Sequence, residues 1–352
     1  MDQYRIYDRK SLEYVDGGIT REYSIDADYL SNNASSVIIT EETYAKKGDI
    51  IVGISGKSKI YMGCVSAVDN TKLTISFKHM KELFADSVLN VFKYLGSIGY
   101  KFDAVSATDT ILRLAFIETD DINRRLPLII EKVGTSPNAV WTDDGDTINL
   151  SDYITWLFDS HNIYLDFDID FKLNKIRCRI IKNTSGGYVI KDNIKLSEPA
   201  FDKNELPSYN KAIVYNKDSG AILGTYYLLA DNTVTSNASN NQRLLPVQTK
   251  YISFEEGKGY TPYEVAVSEL SGNIYNHCIQ IKLSKEQNLV NPLAFNYGDT
   301  VKIIYKEREY DSIFTGLKYN NTSPYYTCLF GKTRIDFTDR LKQYIDKRYR
   351  KK

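Results

Sequence analysis

Gly48-Asp-Ile-Ile-Val-Gly-Ile54 and Gly298-Asp-Thr-Val-Lys-Ile-Ile304 are two copies of one pattern, and this repeat decides the fold. Each copy opens a run with the same order: a Gly-Asp turn, a strand, a polar turn, a strand with a glycine, an Asn turn, an alternating strand and a helix start. The order predicts one barrel topology used twice, although chance agreement between two β meanders is the alternative. The matched positions are Gly48, Asp49, Gly63, Gly298, Asp299, Gly316 and Arg334.

Length and composition fit a chain with more than one domain. The 352 residues correspond to two or three domains at roughly 100–200 residues each. Lys plus Arg and Asp plus Glu both count 45, so tight binding to nucleic acid or to an anionic membrane is not expected. A hydrophobic content of 42% excludes wholesale disorder, and the 28 tyrosines favour strands.

We therefore predict an α+β, mainly β chain with two similar β-barrel domains and inserted α/β segments. Residues 1–85 form the first barrel and residues 86–195 an inserted α/β domain. Residues 196–340 form the second barrel, with a helical insertion near 261–292, and residues 341–352 form a basic C-terminal helix or tail. In the first barrel, strands are expected over 35–40, 49–54, 59–68 and 72–77, where β-branched residues or period-two alternation occur.

The inserted domain carries both helical and strand patterns. Apolar residues at helical spacing predict a helix over 87–95, and Ser151 is expected to cap a helix over 152–158. A β-hairpin is predicted from 163–171 and 175–181, with its turn near Asn174. The segment 120–141 has no clear pattern, and Pro127 interrupts any long helix there.

The second half returns to strands and contains one strong helix signal. Strands are expected over 211–215, 221–229 and 251–254, with a polar loop over 232–241. Thr261, Pro262 and Glu264 make a capping box with proline at the first helical position, and Gly272 is placed to end that helix.

The C-terminal stretch resembles the end of phage tail-hub proteins. Phe314–Asn321 and Tyr326–Lys342 run through a Gly-Lys-x-Arg motif to Phe337-Thr-Asp-Arg-Leu341, which stands where that family has a Leu-Thr-Asp-Lys-Leu helix. Residues 61–84 are similar to the first barrel of the family. The likeness is to the baseplate hub of contractile phages and to the tail-associated protein of siphophages that infect Gram-positive bacteria, and it covers most of the chain as a pattern.

This resemblance implies a function in assembly. Family members form trimers in which duplicated barrels present six similar units to a sixfold tail-tube or distal-tail ring. In the family, DNA and the tape-measure protein pass through the channel of the trimer. A net charge of zero is compatible with a channel wall that binds DNA weakly. The expected partners are two further copies of the chain, the distal-tail protein or tail-tube ring, and receptor-binding proteins or a separate tail fibre or lysin. The expected location is the virion tail, assembled in the cytoplasm of a bacterial host.

Two other functions stay open at this stage. Many family members carry a peptidoglycan hydrolase domain, and the sequence ends at Lys352, soon after the second barrel, so a structural hub without lytic activity is expected. The alternatives are a tail-associated endopeptidase or glycosidase and a carbohydrate-binding β module. No His-Glu-x-x-His, Gly-x-Ser-x-Gly or Gly-Lys-Ser/Thr motif is present, so we predict no enzyme and no cofactor, although carboxylate pairs need no local motif.

Candidate metal ligands and thiols have plainer interpretations. Asp166, Asp168 and Asp170 share one face of a strand and could offer oxygens to Ca²⁺, but a solvent face opposite Phe167, Ile169 and Phe171 is favoured. The acidic run 142–147 is interpreted as a turn, and the basic tail 347–352 as the end of a helix. His277-Cys278 is interpreted as a surface imidazole beside a buried thiol.

The chain shows no signs of export or of membrane insertion. The first ten residues are polar and charged, and no run approaches 20 apolar residues, so neither a secretory signal nor a membrane helix is expected. The four cysteines, Cys64, Cys178, Cys278 and Cys328, have no disulfide-like spacing and are predicted to be buried thiols.

Overall fold

The structure, a computed structural model, describes residues 2–31, 33–84, 87–90, 101–136, 138–140, 147–191, 200–202, 209–286 and 290–332. Strands outnumber helices by far in this part of the chain, so the expected mainly β, α+β class is confirmed. None of the described helices is long and apolar enough to cross a membrane. The domain limits at 85, 195 and 340 stay predictions.

The first six strands close into a ring, which we call the first barrel. They are β1 (Asp2–Tyr7), β2 (Tyr14–Asp28), β3 (Ser35–Ile39), β4 (Ile50–Ser55), β5 (Ser58–Asp69) and β6 (Thr74–Lys78). Their spatial order is β1-β4-β5-β6-β3-β2, and β2 pairs back with β1. Period-two alternation points Ile6, Val37, Ile51 and Ile75 into a fully buried interior, and the strands expected here are confirmed within a few residues.

An α/β segment follows the first barrel. Its elements are β7 (Val88–Asn90), β8 (Lys101–Asp103), α1 (Ala104–Phe116), β9 (Leu128–Val133), β10 (Asn138–Val140), β11 (Thr147–Asn149), α2 (Leu150–His161), β12 (Ile163–Asp170) and β13 (Lys175–Lys182). Strands β12 and β13 form the predicted hairpin, and Asn174 has the positive φ of its turn. Strand β9 begins right after Pro127 and pairs in parallel with β13. Both helices bury apolar faces in the core that this sheet shares with the first barrel.

Two expectations for this segment are wrong. Val88–Asn90 is a strand paired with Thr147–Asn149, so the predicted helix does not begin at residue 87, and residues 91–95 lie outside the described part. A partner strand some sixty residues away in the sequence overrides the local helical periodicity. The cap of α2 is Asn149 rather than Ser151, because the Asn149 side chain accepts the Ser151 backbone N–H at 2.9 Å.

The second set of six strands, which we call the second barrel module, is interrupted by an insertion. Its first two strands, β14 (Gly186–Lys191) and β15 (Ala200–Asp202), precede the insertion, and its other four follow it. The insertion holds β16 (Lys211–Asn216), β17 (Ile222–Leu228), β18 (Val234–Thr235), β19 (Thr249–Phe254) and α3 (Pro262–Leu270). The module is completed by β20 (Cys278–Ser284), β21 (Thr300–Tyr305), β22 (Arg308–Asn320) and β23 (Tyr325–Phe330). In the described part of the chain, short 3-10 helices cover Met80–Leu83, Asn273–Tyr275 and Pro292–Ala294.

The insertion has a sheet of its own, and its core also includes Val140 of β10. Strands β16, β17 and β19 lie where the sequence predicts strands, but they form a separate four-stranded sheet instead of joining the barrel, which corrects their assignment. Helix α3 packs on this sheet around Val265 and Leu270. The predicted capping box is confirmed, because Thr261 accepts the Glu264 backbone N–H at 3.3 Å and Glu264 accepts the Thr261 N–H at 2.8 Å.

Candidate assembly site: the seam between the two barrels

The two Gly-Asp turns have the same geometry. Gly48 and Gly298 both have a positive φ, 95° and 82°, a region that L side chains avoid. Gly48 donates its N–H to Val65 O at 2.8 Å, and Val65 returns its N–H to Asp49 O at 2.8 Å. The same exchange joins the second turn to Phe314, at 2.7 and 2.8 Å. The turns are therefore equivalent corners of the two modules.

The hairpins after these corners also match, and they correct one detail of the repeat. Ser55 pairs with Ser58 and Tyr305 with Arg308, so both hairpins have two-residue turns. A register shift follows Val65 in β5 and Phe314 in β22. When Val65 is aligned with Phe314, Gly316 corresponds to Ala67. Gly63 and Gly316 are therefore not equivalent positions. Arg334 lies outside the described residues.

The six strands of each set also follow one spatial order. Strands β14-β21-β22-β23-β20-β15 correspond to β1-β4-β5-β6-β3-β2 of the first barrel. The pairing of β14 with β21 is parallel, whereas that of β1 with β4 is antiparallel, so this edge differs between the modules. Outside that edge, the described strands of the two modules occupy matching places.

The two modules meet edge to edge, at what we call the seam. Ser24–Asp28, the end of β2, pairs antiparallel with Gly316–Asn320, the end of β22. Tyr29 extends the ladder by donating its N–H to Thr315 O at 3.0 Å. Gly316 lacks a side chain where the strands touch, since a Cβ there would lie 2.4 Å from the Asp28 Cα. One continuous sheet therefore runs through both modules.

Side chains reinforce the seam from both directions. Lys318 Nζ lies 3.0 Å from an Asp26 carboxylate oxygen. The Tyr319 hydroxyl donates to Ile60 O at 2.6 Å, and the Tyr297 hydroxyl donates to Ala27 O at 3.0 Å. Each contact joins the first barrel to the second module, so the seam fixes the relative position of the two.

Tyr29 is the central side chain of the seam. It is fully buried, and its ring lies 5.0 Å, between centroids, from the rings of Tyr297 and Phe158. The Tyr29 hydroxyl accepts the Leu165 backbone N–H at 3.0 Å, and burial raises the pKa of this hydroxyl. A residue of the first barrel thus packs between the second module and the inserted α/β segment. Nothing in its local sequence marks it for this position.

Two bases, the half-buried His79 and the buried Lys81, lie beside Tyr29. Lys81 donates to Tyr29 O with its ammonium 4.7 Å from the ring centroid, and burial lowers the pKa of Lys81. His79 caps the Met80–Leu83 turn by accepting the Lys81 N–H at 3.2 Å. Burial lowers the pKa of His79 to about 3, so the imidazole is neutral at physiological pH.

The C-terminus of α2 is contacted by one lysine from the second module and one from β13. Lys332 donates to Asp159 O and Lys182 donates to His161 O, so two ammonium groups satisfy carbonyls at the C-terminus of α2. Burial lowers the pKa of Lys332 to about 8 and that of His161 to about 3. The helix end favours positive charge while burial opposes it.

The acidic face of β12 is matched by basic side chains. Asp166 pairs with Arg179 at 2.6 Å, Asp168 with Lys59 at 2.8 Å, and Asp170 with Arg177 at 2.6 Å. Phe167 and Ile169 are buried on the opposite face, whereas Phe171 is 56% exposed beyond the strand end. Among the described residues, no group of three His, Cys, Asp or Glu could hold a metal ion. Positions 142–146 of the acidic run lie outside the described part.

The four thiols lie inside the protein, as the sequence predicts. All four cysteines are buried and free, and burial raises the pKa of Cys64 to about 12. His277 is half-buried instead of lying at the surface as expected, and its Nε2 is 2.7 Å from Ser312 Oγ. Burial lowers its pKa. His277 is thus engaged by Ser312, while its neighbour Cys278 is buried.

Known proteins share this fold at low sequence identity. No family model and no curated protein sequence matches the chain. A prophage tail protein, gp18, from Listeria monocytogenes is 13% identical with a TM-score of 0.55 over 98% of this chain and 99% of that one. A tail protein from Neisseria meningitidis is 10% identical with a TM-score of 0.52, covering 96% of this chain and 98% of that one. A chain of the phage P2 baseplate in its activated conformation is 12% identical with a TM-score of 0.50, covering 96% of this chain and 100% of that one.

These similarities extend over nearly the full length of each partner. The mainly β architecture, with two modules of six strands, is therefore shared with phage tail and baseplate proteins, and the fold expected from the sequence resemblance is confirmed. At this level of identity the likeness establishes the architecture, and the function has to be argued from the seam.

Proposed function

We propose that this chain is a structural hub of a phage or prophage tail, located in the virion tail. Three copies form a ring of six similar barrels, which docks on a hexameric distal-tail or tail-tube ring and closes or extends the DNA channel. The hub acts by assembly and not by catalysis.

The observation that carries the proposal is the seam. Two modules with equivalent corners at Asp49 and Asp299 are joined edge to edge by β2 and β22, so one chain presents two similar units side by side. A threefold arrangement of such chains presents six similar units without a second kind of subunit. The shared architecture with phage tail and baseplate proteins supports this use of the fold.

The partners follow from this geometry. The face of the six-barrel ring matches a sixfold distal-tail or tail-tube ring, and the hole encloses transiting DNA and the tape-measure protein. A formal net charge of zero suits a wall that DNA passes without strong binding. Receptor-binding proteins, a tail fibre or a lysin would attach at the tip.

Stoichiometry tests the proposal. Light scattering coupled to size exclusion should give three chains of 40.3 kDa for the purified protein, and three chains per six distal-tail subunits in the mixture. A chain that stays monomeric at micromolar concentration and does not bind the distal-tail protein would contradict it. A zymogram on Gram-positive cell walls should show no clearing.

A further inference from the structure

In the second module, the corner at Gly298 is closed by a residue of the first barrel. Tyr29 packs against Tyr297 with ring centroids 5.0 Å apart, and its N–H donates to Thr315 O at 3.0 Å. Ile313 and Thr315, which lie on β22 beside this corner, are both buried. The corner is therefore filled within one chain, mainly by aromatic and aliphatic groups.

The equivalent corner of the first barrel, at Gly48, is open. It contains a cavity of about 390 Å³, the corner cavity, whose wall includes Arg9, Lys47, Cys64, Ser66, Lys78 and Glu82. When the two corners are aligned, Lys47, Cys64 and Ser66 correspond to residues 297, 313 and 315 of the filled corner. A lysine thus replaces a tyrosine, and among the described residues no aromatic side chain lines the corner cavity.

Positive charge exceeds negative charge in the wall of the corner cavity. Its basic side chains are those of Arg9, Lys47 and Lys78, and its acidic side chain is that of Glu82. Lys78 Nζ lies 3.8 Å from a Glu82 oxygen, so the charges of this pair offset each other. Within the described part of the chain, neither Arg9 nor Lys47 forms a salt bridge. The wall therefore has an excess of two positive charges.

The two carboxylates nearest to these bases in the sequence already accept backbone hydrogen bonds. Asp8 Oδ1 accepts the Ser11 N–H at 2.8 Å, and Asp49 Oδ2 accepts the Lys46 N–H at 2.8 Å. Both carboxylates feel the charge of Arg9, but neither lies within salt-bridge distance of it. Each is held on its own turn, so the two bases are available to an anion from outside the chain.

Gly48 leaves room for the Arg9 guanidinium at the corner. A Cβ at this position would lie 3.2 Å from an Arg9 Nη atom, closer than ordinary van der Waals contact. At Gly298 the corresponding neighbours are atoms of the Asn162 side chain, which is uncharged. The first corner thus places a guanidinium, with its fixed fork of N–H donors, where the second corner places an amide.

Ser66 contributes a hydroxyl to the same wall. The register shift between β5 and β6 falls between Val65 and Ala67, so Ser66 is the extra residue of a β-bulge. It is half-buried, and within the described residues its hydroxyl forms no hydrogen bond. A serine hydroxyl can donate one hydrogen bond to an anion, so the bulge adds a neutral donor to the two bases.

We propose that the corner cavity binds a phosphate dianion. The excess of two positive charges matches the charge of about −2 that phosphate carries near neutral pH, whereas a carboxylate would leave one charge uncompensated. Arg9 offers the paired N–H donors that bind phosphate bidentately, and Lys47 adds a point charge. The volume leaves room for part of a group esterified to the phosphate. The site belongs to a single chain, so it does not depend on the proposed ring.

Calorimetric titration of the full chain with inorganic phosphate, at constant ionic strength, tests the site. One phosphate should bind per chain, and Arg9→Gln and Lys47→Gln should each weaken binding at least about tenfold. Both side chains are exposed, so the variants should fold as the parent does. The matched control is Lys57→Gln in the exposed turn between β4 and β5, which should leave the affinity within about twofold. Absence of saturable binding, or equal effects of Lys47→Gln and Lys57→Gln, would overturn the proposal.

Two further titrants identify the source of the phosphate. Glycerol 3-phosphate carries the same dianion on an ester, and a dinucleotide without a terminal phosphate carries one singly charged phosphodiester. Glycerol 3-phosphate that binds more tightly than inorganic phosphate would assign the site to a phosphate ester, and weaker binding would assign it to free phosphate; both results support the site. A dinucleotide that binds as tightly as inorganic phosphate would contradict the match of charges and overturn the proposal.

Discussion

Asp49 and Asp299 make the same local hydrogen bond in two modules, each accepting the backbone N–H of the residue three positions earlier at 2.8 Å. Asp299 has more partners, because it also accepts from Asn183 Nδ2 at 2.9 Å and from Ser185 Oγ at 2.7 Å, and it is fully buried. A shared corner has thus become an anchor for the inserted segment in the second module.

The substitutions Asp299→Asn and Asp49→Asn should therefore lower the free energy of unfolding by unequal amounts. In Asp299→Asn one acceptor oxygen becomes an NH₂ group that faces a donor, which should lower the free energy of unfolding by about 1–3 kcal/mol. Asp49→Asn should lower the free energy of unfolding by less, because the hydrogen bond described for the Asp49 carboxylate is the one that it accepts from the Lys46 N–H. Urea denaturation of both variants measures the difference, and equal losses would contradict the anchor role.

The close approach at Gly316 gives a second prediction. Its φ is not in the left-handed region, so alanine should be disfavoured by contact with Asp28 and not by backbone strain. Gly316→Ala should destabilise the protein by about 1–3 kcal/mol. Ala67→Ser, at the matched position of the first barrel, should change the stability of the monomer by less than about 0.5 kcal/mol. A Gly316→Ala protein as stable as the parent would show that the seam tolerates a wider spacing.

Removing the Tyr29 ring should open the junction of the three segments. Tyr29→Ala should lower the free energy of unfolding by about 3–5 kcal/mol, as for a large buried aromatic. Tyr29→Phe keeps the packing and leaves the Leu165 N–H without its acceptor, so about 1–3 kcal/mol is expected. If Tyr29→Phe cost as much as Tyr29→Ala, the hydroxyl and not the ring packing would dominate.

The lowered pKa values of His79 and His161 predict that acid destabilises the protein. The folded-state pKa of His79 and of His161 is lowered to about 3, below the value of 6.5 in the unfolded chain. Below pH 6.5 the unfolded state therefore binds more protons, so stability is present above that pH and is lost as the pH falls towards 3. Each histidine should contribute a slope of up to about 1.4 kcal/mol per pH unit.

A histidine variant isolates this effect from the carboxylates. His79→Asn keeps an acceptor for the Lys81 N–H and removes the titration. Chemical denaturation between pH 7 and pH 4.5 should show a shallower fall in stability for the variant than for the parent. Parallel curves would mean that His79 is protonated in the folded protein.

Calcium should have no effect on stability. The carboxylates of Asp166, Asp168 and Asp170 each lie within 2.8 Å of a basic side chain, so a cation would have to displace three ion pairs. Millimolar Ca²⁺ or a chelator should leave Tm unchanged. A rise in Tm with Ca²⁺ that Asp168→Asn abolishes would instead identify this face as a metal site.

Local chemistry explains which features could be predicted from the sequence. The Gly-Asp corners are visible because a positive φ requires glycine and the following carboxylate caps its own turn, and the capping box at Thr261 depends on three neighbouring residues. The equivalence of Gly63 and Gly316 was wrong because Gly63 lies two residues before the register shift in β5, whereas Gly316 lies two residues after Phe314, where β22 has its matching shift.

Distant contacts explain the rest. The seam pairs Ser24–Asp28 with Gly316–Asn320, and Tyr29 owes its position to Tyr297 and Phe158, so no local pattern could indicate either. Val88–Asn90 has helical periodicity but pairs with Thr147–Asn149 as a strand. In each case the deciding partner is remote in the chain.

Cryo-electron microscopy of the purified oligomer, reconstructed without imposed symmetry, tests the central claim most directly. The account predicts three chains whose first and second barrels alternate as six similar densities around one channel. A reconstruction in which the two barrels of a chain do not lie in the same ring would contradict it.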